Sequence, residues 1–169
     1  MKNASKFFLI TALGLVFSAA TFAQGVSVPT TASATIVTPL VLTKTSDISF
    51  GNLAVNATLG TITMPATAAP VRTVTGGVTL MPGGTVTSGF FNLTGLTDAA
   101  IAVTLPADGI VTLTGPGAPI PANTFTTNAP ATIAGGNIDF YVGTTLSIAA
   151  SQVAGNYASA VFNVTVNYN

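Results

Sequence analysis

The chain has 169 residues, with four lysines and arginines against four aspartates, and no histidine, cysteine, glutamate or tryptophan. Without imidazole or thiol there is no zinc-type site and no thiol nucleophile. Without a basic patch there is no electrostatic footprint for nucleic acid, and no polybasic segment for anionic lipid.

The first element in chain order is an export signal. Lys2 and Lys6 precede an apolar run from Phe7 to Phe17, and small residues follow, with Thr21 and Ala23 at the −3 and −1 positions. The apolar run is shorter than the roughly 20 residues a membrane-spanning helix needs. Cleavage is expected after Ala23, so residues 1–23 form a signal peptide and residues 24–169 a single domain. The protein is then exported through the inner membrane, to the periplasm, the cell surface or beyond. No integral membrane segment is left after cleavage.

Past Ala23 the composition turns to Thr, Val, Gly and Ile, which favours strands. Apolar residues alternate with period 2, and Gly and Pro punctuate at short intervals. Strands are expected at Ser33–Val37, Leu40–Thr43, Asp47–Phe50 and Leu59–Met64. A hairpin is expected from Val71–Thr75 and Val78–Met81 around Gly76-Gly77. Further strands are Gly89–Thr94 and Ala100–Leu105, the latter turning at Asp108-Gly109 into Ile110–Thr114. Gly115–Pro121 is expected to be a loop. Thr124–Thr127, Gly136–Val142, Thr145–Ile148 and Asn156–Tyr168 complete the list. About ten short strands with short turns give an all-β fold, a two-sheet antiparallel β-sandwich of immunoglobulin-like or pilin-like type.

The catalytic inventory is nearly empty. Beyond Ala23 the charged residues are Lys44, Arg72, Asp47, Asp98, Asp108 and Asp139. The aspartates sit singly beside turn residues, where a carboxylate accepts hydrogen bonds from backbone N–H groups. No catalytic, cofactor-binding or metal-binding residue is assigned, and an enzyme is not expected. Five Thr-x-Thr pairs, such as Thr61/Thr63 and Thr73/Thr75, are too irregularly spaced to imply an ice-facing ladder. Thr is a good strand former on a wet face.

The two ends of the domain carry the clearest patterns. Val26, Val28, Ala32, Ala34 and Ile36 alternate with Ser27, Thr31, Ser33 and Thr35, interrupted at Pro29-Thr30. Phe162, Val164, Val166 and Tyr168 alternate with Val161, Asn163, Thr165 and Asn167. A strand with one apolar face and unused edges pairs within its own sheet or with a partner. Low net charge also favours association.

Several stretches are similar to an exported bacterial family catalogued as domain of unknown function 4402. They are Ala32–Leu42 (ASATIVTPLVL), Ile48–Asn52, Thr75–Gly77, Phe91–Gly95, Ile101–Pro106, Val142–Leu146, Gly155–Tyr157 and Phe162–Asn169. That resemblance implies an exported β-sandwich and transfers no active-site residue. The C-terminus also resembles pilin subunits of the chaperone–usher system, with an alternating last strand, Tyr168 as a penultimate aromatic, and Gly155 fifteen residues from the end. The disulfide usual in those pilins is missing. The pilin resemblance implies that one subunit's N-terminal extension completes the next subunit's fold by strand addition.

The expected function is therefore a structural or adhesive cell-surface subunit, with itself or other envelope components as partners and no cofactor. Val26, Val28, Ala32 and Ala34 are the candidate donor residues. Phe162, Val164, Val166 and Tyr168 are the candidate acceptor edge. The alternative is a stand-alone secreted module that binds carbohydrate or a surface partner, which needs an exposed aromatic platform.

Overall fold

The computed structural model describes residues 25–169, so the signal-peptide assignment to residues 1–23 lies outside the described residues. The chain divides between Thr35 and Ile36. Residues 25–35 form no strand and every one of them is exposed. The expected strand at Ser33–Val37 is therefore absent. Alternation makes a segment suitable for one face of a sheet, but a strand also needs neighbours for its N–H and C=O groups.

From Ile36 onward the fold is all-β, apart from one short 3₁₀ turn at Ala134–Gly136. The strands are β1 (Val41–Ser46), β2 (Ser49–Phe50), β3 (Leu53–Met64), β4 (Thr73–Leu80), β5 (Val86–Thr87), β6 (Gly89–Thr94), β7 (Ile101–Thr104), β8 (Val111–Thr114), β9 (Ile120–Thr127), β10 (Asn137–Ile148), β11 (Ala158–Ser159) and β12 (Thr165–Tyr168). All pairings between them are antiparallel.

The long strand β10 is the spine. One of its edges carries β6 along Asn137–Val142 and then β3 along Thr144–Ile148, while the other edge carries β9. The main sheet runs β1-β6-β10-β9-β8-β11, with the β3–β4 hairpin branching from β10. Two smaller pairings, β12 with β7 and β2 with β5, stand outside it.

Three of these elements differ from the sequence reading for a common reason. Gly76-Gly77 lies inside the single strand β4, and Gly76 has φ +60°. There the partner strand β3 bulges between Val55 and Gly60, and a Cβ on Gly77 would meet the Thr58 carbonyl at 2.1 Å. The glycines admit that bulge rather than turn a hairpin. Likewise Gly143 does not end a strand. It lets the Met64 carbonyl approach, at 2.2 Å from a would-be Cβ, and β10 continues through it to Ile148. β9 starts at Ile120, inside the stretch expected to be a loop, because Leu113 and Thr112 pair with Ile120 and Pro121.

The core has two clusters. One gathers Ile62, Val78, Val111, Ile120, Ala122, Leu146 and Ile148. The other gathers Leu93, Ile101, Ile133, Phe140 and Val142. Side chains of this size each contribute roughly 1.5–3 kcal/mol when fully buried. Among the described residues the two buried polar side chains are bonded: the Ser88 hydroxyl donates to the Pro65 carbonyl at 2.7 Å, and that of Thr144 to the Asn123 carbonyl at 2.8 Å.

Candidate functional site

The last strand-like stretch of the chain changes character midway. β12 pairs with β7 through Thr165↔Thr104 to Tyr168↔Ile101. Upstream, β11 pairs with β8 through Ala158 and Ser159. Between these short pairings, Ala160 to Val164 belong to no strand, although the alternation is kept: Phe162 and Val164 are half-buried, and Ala160, Val161 and Asn163 are exposed.

Beside this unpaired stretch lies an apolar groove of about 460 Å³. Its opposite wall is the free edge of β1 and the turn after it, from Lys44 to Ile48. Phe91, Val111, Ala122, Phe125, Val142 and Leu146 line its interior, together with Phe162 and Val164. Val111, Ala122 and Leu146 come from the first core cluster and Val142 from the second, so the groove borders both. It shares Ile48, Phe50, Leu113, Leu146 and Tyr157 with a second cleft of about 740 Å³, which runs on between Ser49–Val55 and Gln152–Asn156. On the other side of Ala160–Asn163, a hollow of about 360 Å³ separates them from the β7–β8 hairpin.

The groove is almost free of charge. Lys44 and Asp47 at its mouth pair with each other, and both are well exposed, so the pair contributes at most about 1 kcal/mol. Inside are aliphatic groups and aromatic rings, with Phe125 and Phe162 tilted against each other at 5.5 Å. The groove presents an apolar trough flanked by the β1 edge, which suits an added strand bearing an apolar side chain at every second position.

The candidate residues fall into three groups. Val26, Val28, Ala32 and Ala34 lie in the exposed N-terminal segment, with Val26 93% and Val28 80% exposed. Phe162 and Val164 line the groove. Val166 and Tyr168 do not: they sit in β12, paired with β7 and packed on the second core cluster. The Tyr168 hydroxyl donates to the Thr38 carbonyl and accepts from the Leu96 N–H, both at 2.7 Å. It thereby ties the C-terminal strand to the chain just ahead of β1. The rest of the groove, from Ile48 to Leu146, was not singled out by sequence. Alternation marks those residues as inward-facing, but only the tertiary arrangement of several strands gathers them along one groove.

Three of the aspartates accept hydrogen bonds that link strands or loops. Asp108 accepts from the Thr124 N–H at 2.6 Å, where Thr124 has φ +50° beside the β9–β10 register shift. Asp98 accepts from the Gly135 N–H at 3.4 Å, and Asp139 lies within β10, accepting from Asn92 at 2.7 Å. These bonds span distant parts of the chain rather than the local turns read from sequence. Two Thr-x-Thr pairs meet across β3 and β4, where the Thr61 and Thr75 hydroxyls bond each other at 2.7 Å. Among the described residues no helix is long and apolar enough to cross a membrane, and no three acidic, histidine or cysteine side chains gather as a metal site would require.

No curated protein and no solved structure matches the chain. The model of one family does, the domain of unknown function DUF4402, over residues 40–168, about three quarters of the chain. The match begins at the foot of β1 and ends at the last residue of β12, so it takes in the whole β-structured body and both walls of the groove. The protein belongs to the DUF4402 family.

Proposed function

We propose that the protein is an exported structural or adhesive subunit of a cell-surface assembly, whose copies join by strand addition. In this reading residues 1–23 are the export signal, and the body is a two-sheet sandwich lacking one strand. The groove between β1 and Ala160–Val164 takes that strand from the N-terminal segment of another copy. Val26, Val28, Ala32 and Ala34 face the groove, Phe162 and Val164 line it, and Val166 and Tyr168 hold the adjoining strand in place.

The observation that carries the reading is the groove itself. A domain of this size normally closes its core, yet here an apolar trough reaches residues of both clusters along one side. The exposed segment has a matching period-2 pattern and no sheet of its own. Ordering it costs roughly 1–2 kcal/mol per residue. Burying valine and isoleucine side chains, together with new backbone hydrogen bonds, offsets that cost only if a complementary groove is supplied.

Size exclusion and negative-stain microscopy of the chain from Gln24 onward test the proposal. The expected result is concentration-dependent oligomers that are lost when residues 24–37 are deleted. A monomer whose elution is unchanged by that deletion would overturn it.

A further inference from the structure

A second surface lies on the opposite face of the sheet. In β6 and β10, Phe91, Leu93, Phe140 and Val142 point into the protein. By strand alternation Phe90, Asn92, Asp139 and Tyr141 point outward, and the register sets Phe90 opposite Tyr141 and Asn92 opposite Asp139.

Phe90 and Tyr141 stack with ring centroids 4.9 Å apart and planes 13° from parallel. Beside them the Asn92 amide donates to the Asn137 side-chain carbonyl at 2.9 Å and to the Asp139 carboxylate at 2.7 Å. These two bonds fix three polar side chains, yet leave the Asn92 carbonyl, the Asn137 amide nitrogen and the second Asp139 oxygen without a protein partner among the described residues. The Tyr141 hydroxyl is in the same position. The other two tyrosines differ: Tyr157 bonds the Val153 carbonyl and Gly117 N–H, and Tyr168 the Thr38 carbonyl and Leu96 N–H.

Strand addition cannot explain this face, because β6 and β10 are each flanked on both sides within the sheet. Only side chains are on offer here. They combine an aromatic pair with a fixed rim of neutral donors and acceptors and a single carboxylate. A matching ligand has an apolar face, a hydroxyl edge and no charge, which is the chemistry of a neutral pyranose. We infer that Phe90, Tyr141, Asn92, Asn137 and Asp139 form a binding site for neutral glycan, separate from the groove. The strands beneath it pack on the fully buried Leu93 and Phe140, which seats the five side chains on a packed stretch of sheet.

Amide-resolved NMR titration of the chain from Gln24 onward with cellohexaose, maltohexaose, chitohexaose and mannohexaose tests this. At least one of these probes is expected to shift the Asn92 side-chain amide saturably, with Kd about 1 mM. Tyr141→Ala and Asn92→Ala weaken that binding at least about tenfold, while the Leu93 methyl signals show the sheet intact. Phe162→Ala, in the groove, leaves it unchanged. Three results would overturn the inference: no saturable shift from any of the four probes, shifts confined to the groove, or equal binding by the wild type and the two outer-face variants.

Discussion

The stretches Ala160–Val164 and Thr165–Tyr168 carry one continuous alternating pattern and meet different surroundings. Val166 and Tyr168 lie in a paired strand over a core whose central residues, Leu93, Ile133 and Phe140, are all 0% exposed. Phe162 and Val164 have the same inward orientation but border an open trough. The difference is one of neighbours, not of sequence character. Where β7 lies alongside, the edge is sealed by backbone pairing; where no strand lies between the stretch and β1, the edge is open, although all four inward side chains are half-buried. Alternation therefore reports which face of a strand turns inward, and not whether the strand beside it is present.

If that contrast is right, equal truncations on the two sides have unequal costs. Phe140→Ala, on the sealed side, is expected to destabilise the isolated chain by about 3–5 kcal/mol in urea unfolding. Phe162→Ala, whose ring is already half-exposed, costs the monomer about 1–2 kcal/mol and shows its main effect in the loss of oligomers. Equal costs for the two in the monomer would erase the distinction between the halves.

Filling the trough probes the same difference. A synthetic peptide of residues 25–37, added to the chain lacking them, is expected to stabilise it by about 2.7 kcal/mol at a hundredfold excess over its Kd. A rise in thermal midpoint would show this, and in Phe162→Ala that rise would shrink. The sealed side provides the third test. Tyr168→Phe keeps the ring but removes the bonds to Thr38 and Leu96, for a loss of about 1–2 kcal/mol, with amide exchange increasing first around Thr38. The smallest effect is expected at the groove mouth. Lys44→Ala removes an exposed ion pair and changes stability by less than about 1 kcal/mol, measured as the shift in urea midpoint.

Local features of this molecule were legible in the sequence to the extent that local sterics decide them. Gly89–Thr94 is a strand to the residue, because a bulky alternating run leaves little else for the backbone to do. The family could also be named from short stretches such as Phe91–Gly95 and Phe162–Asn169, and the family match confirms it. Gly76-Gly77 misled because a glycine pair signals both a tight turn and a crowded bulge, and only the approach of Thr58 from β3 decides between them. The split of β10 at Gly143 failed for the same reason. Half of the groove wall, Phe162 and Val164, was visible as a terminal pattern. The rest was not, since Phe91, Val111, Phe125 and Leu146 come from four different strands and their shared place along one trough is a property of the assembled sheet. The outer-face pair Phe90 and Tyr141 was hidden likewise, because their contact depends on the β6–β10 register.

Parity of cross-linking between copies reports directly on whether the N-terminal segment of one copy lies in the groove of another. The protein has no cysteine, so single cysteines report cleanly. One partner carries Phe162→Cys and lacks residues 24–37. The other carries one cysteine at Val26, Ser27, Val28, Thr31, Ala32, Ser33, Ala34 or Thr35. Strand addition is expected to give disulfides between copies at one or more of Val26, Val28, Ala32 and Ala34, with the interleaved polar positions left unlinked. Cross-linking that ignores this alternation, or that is absent at every position, would contradict it.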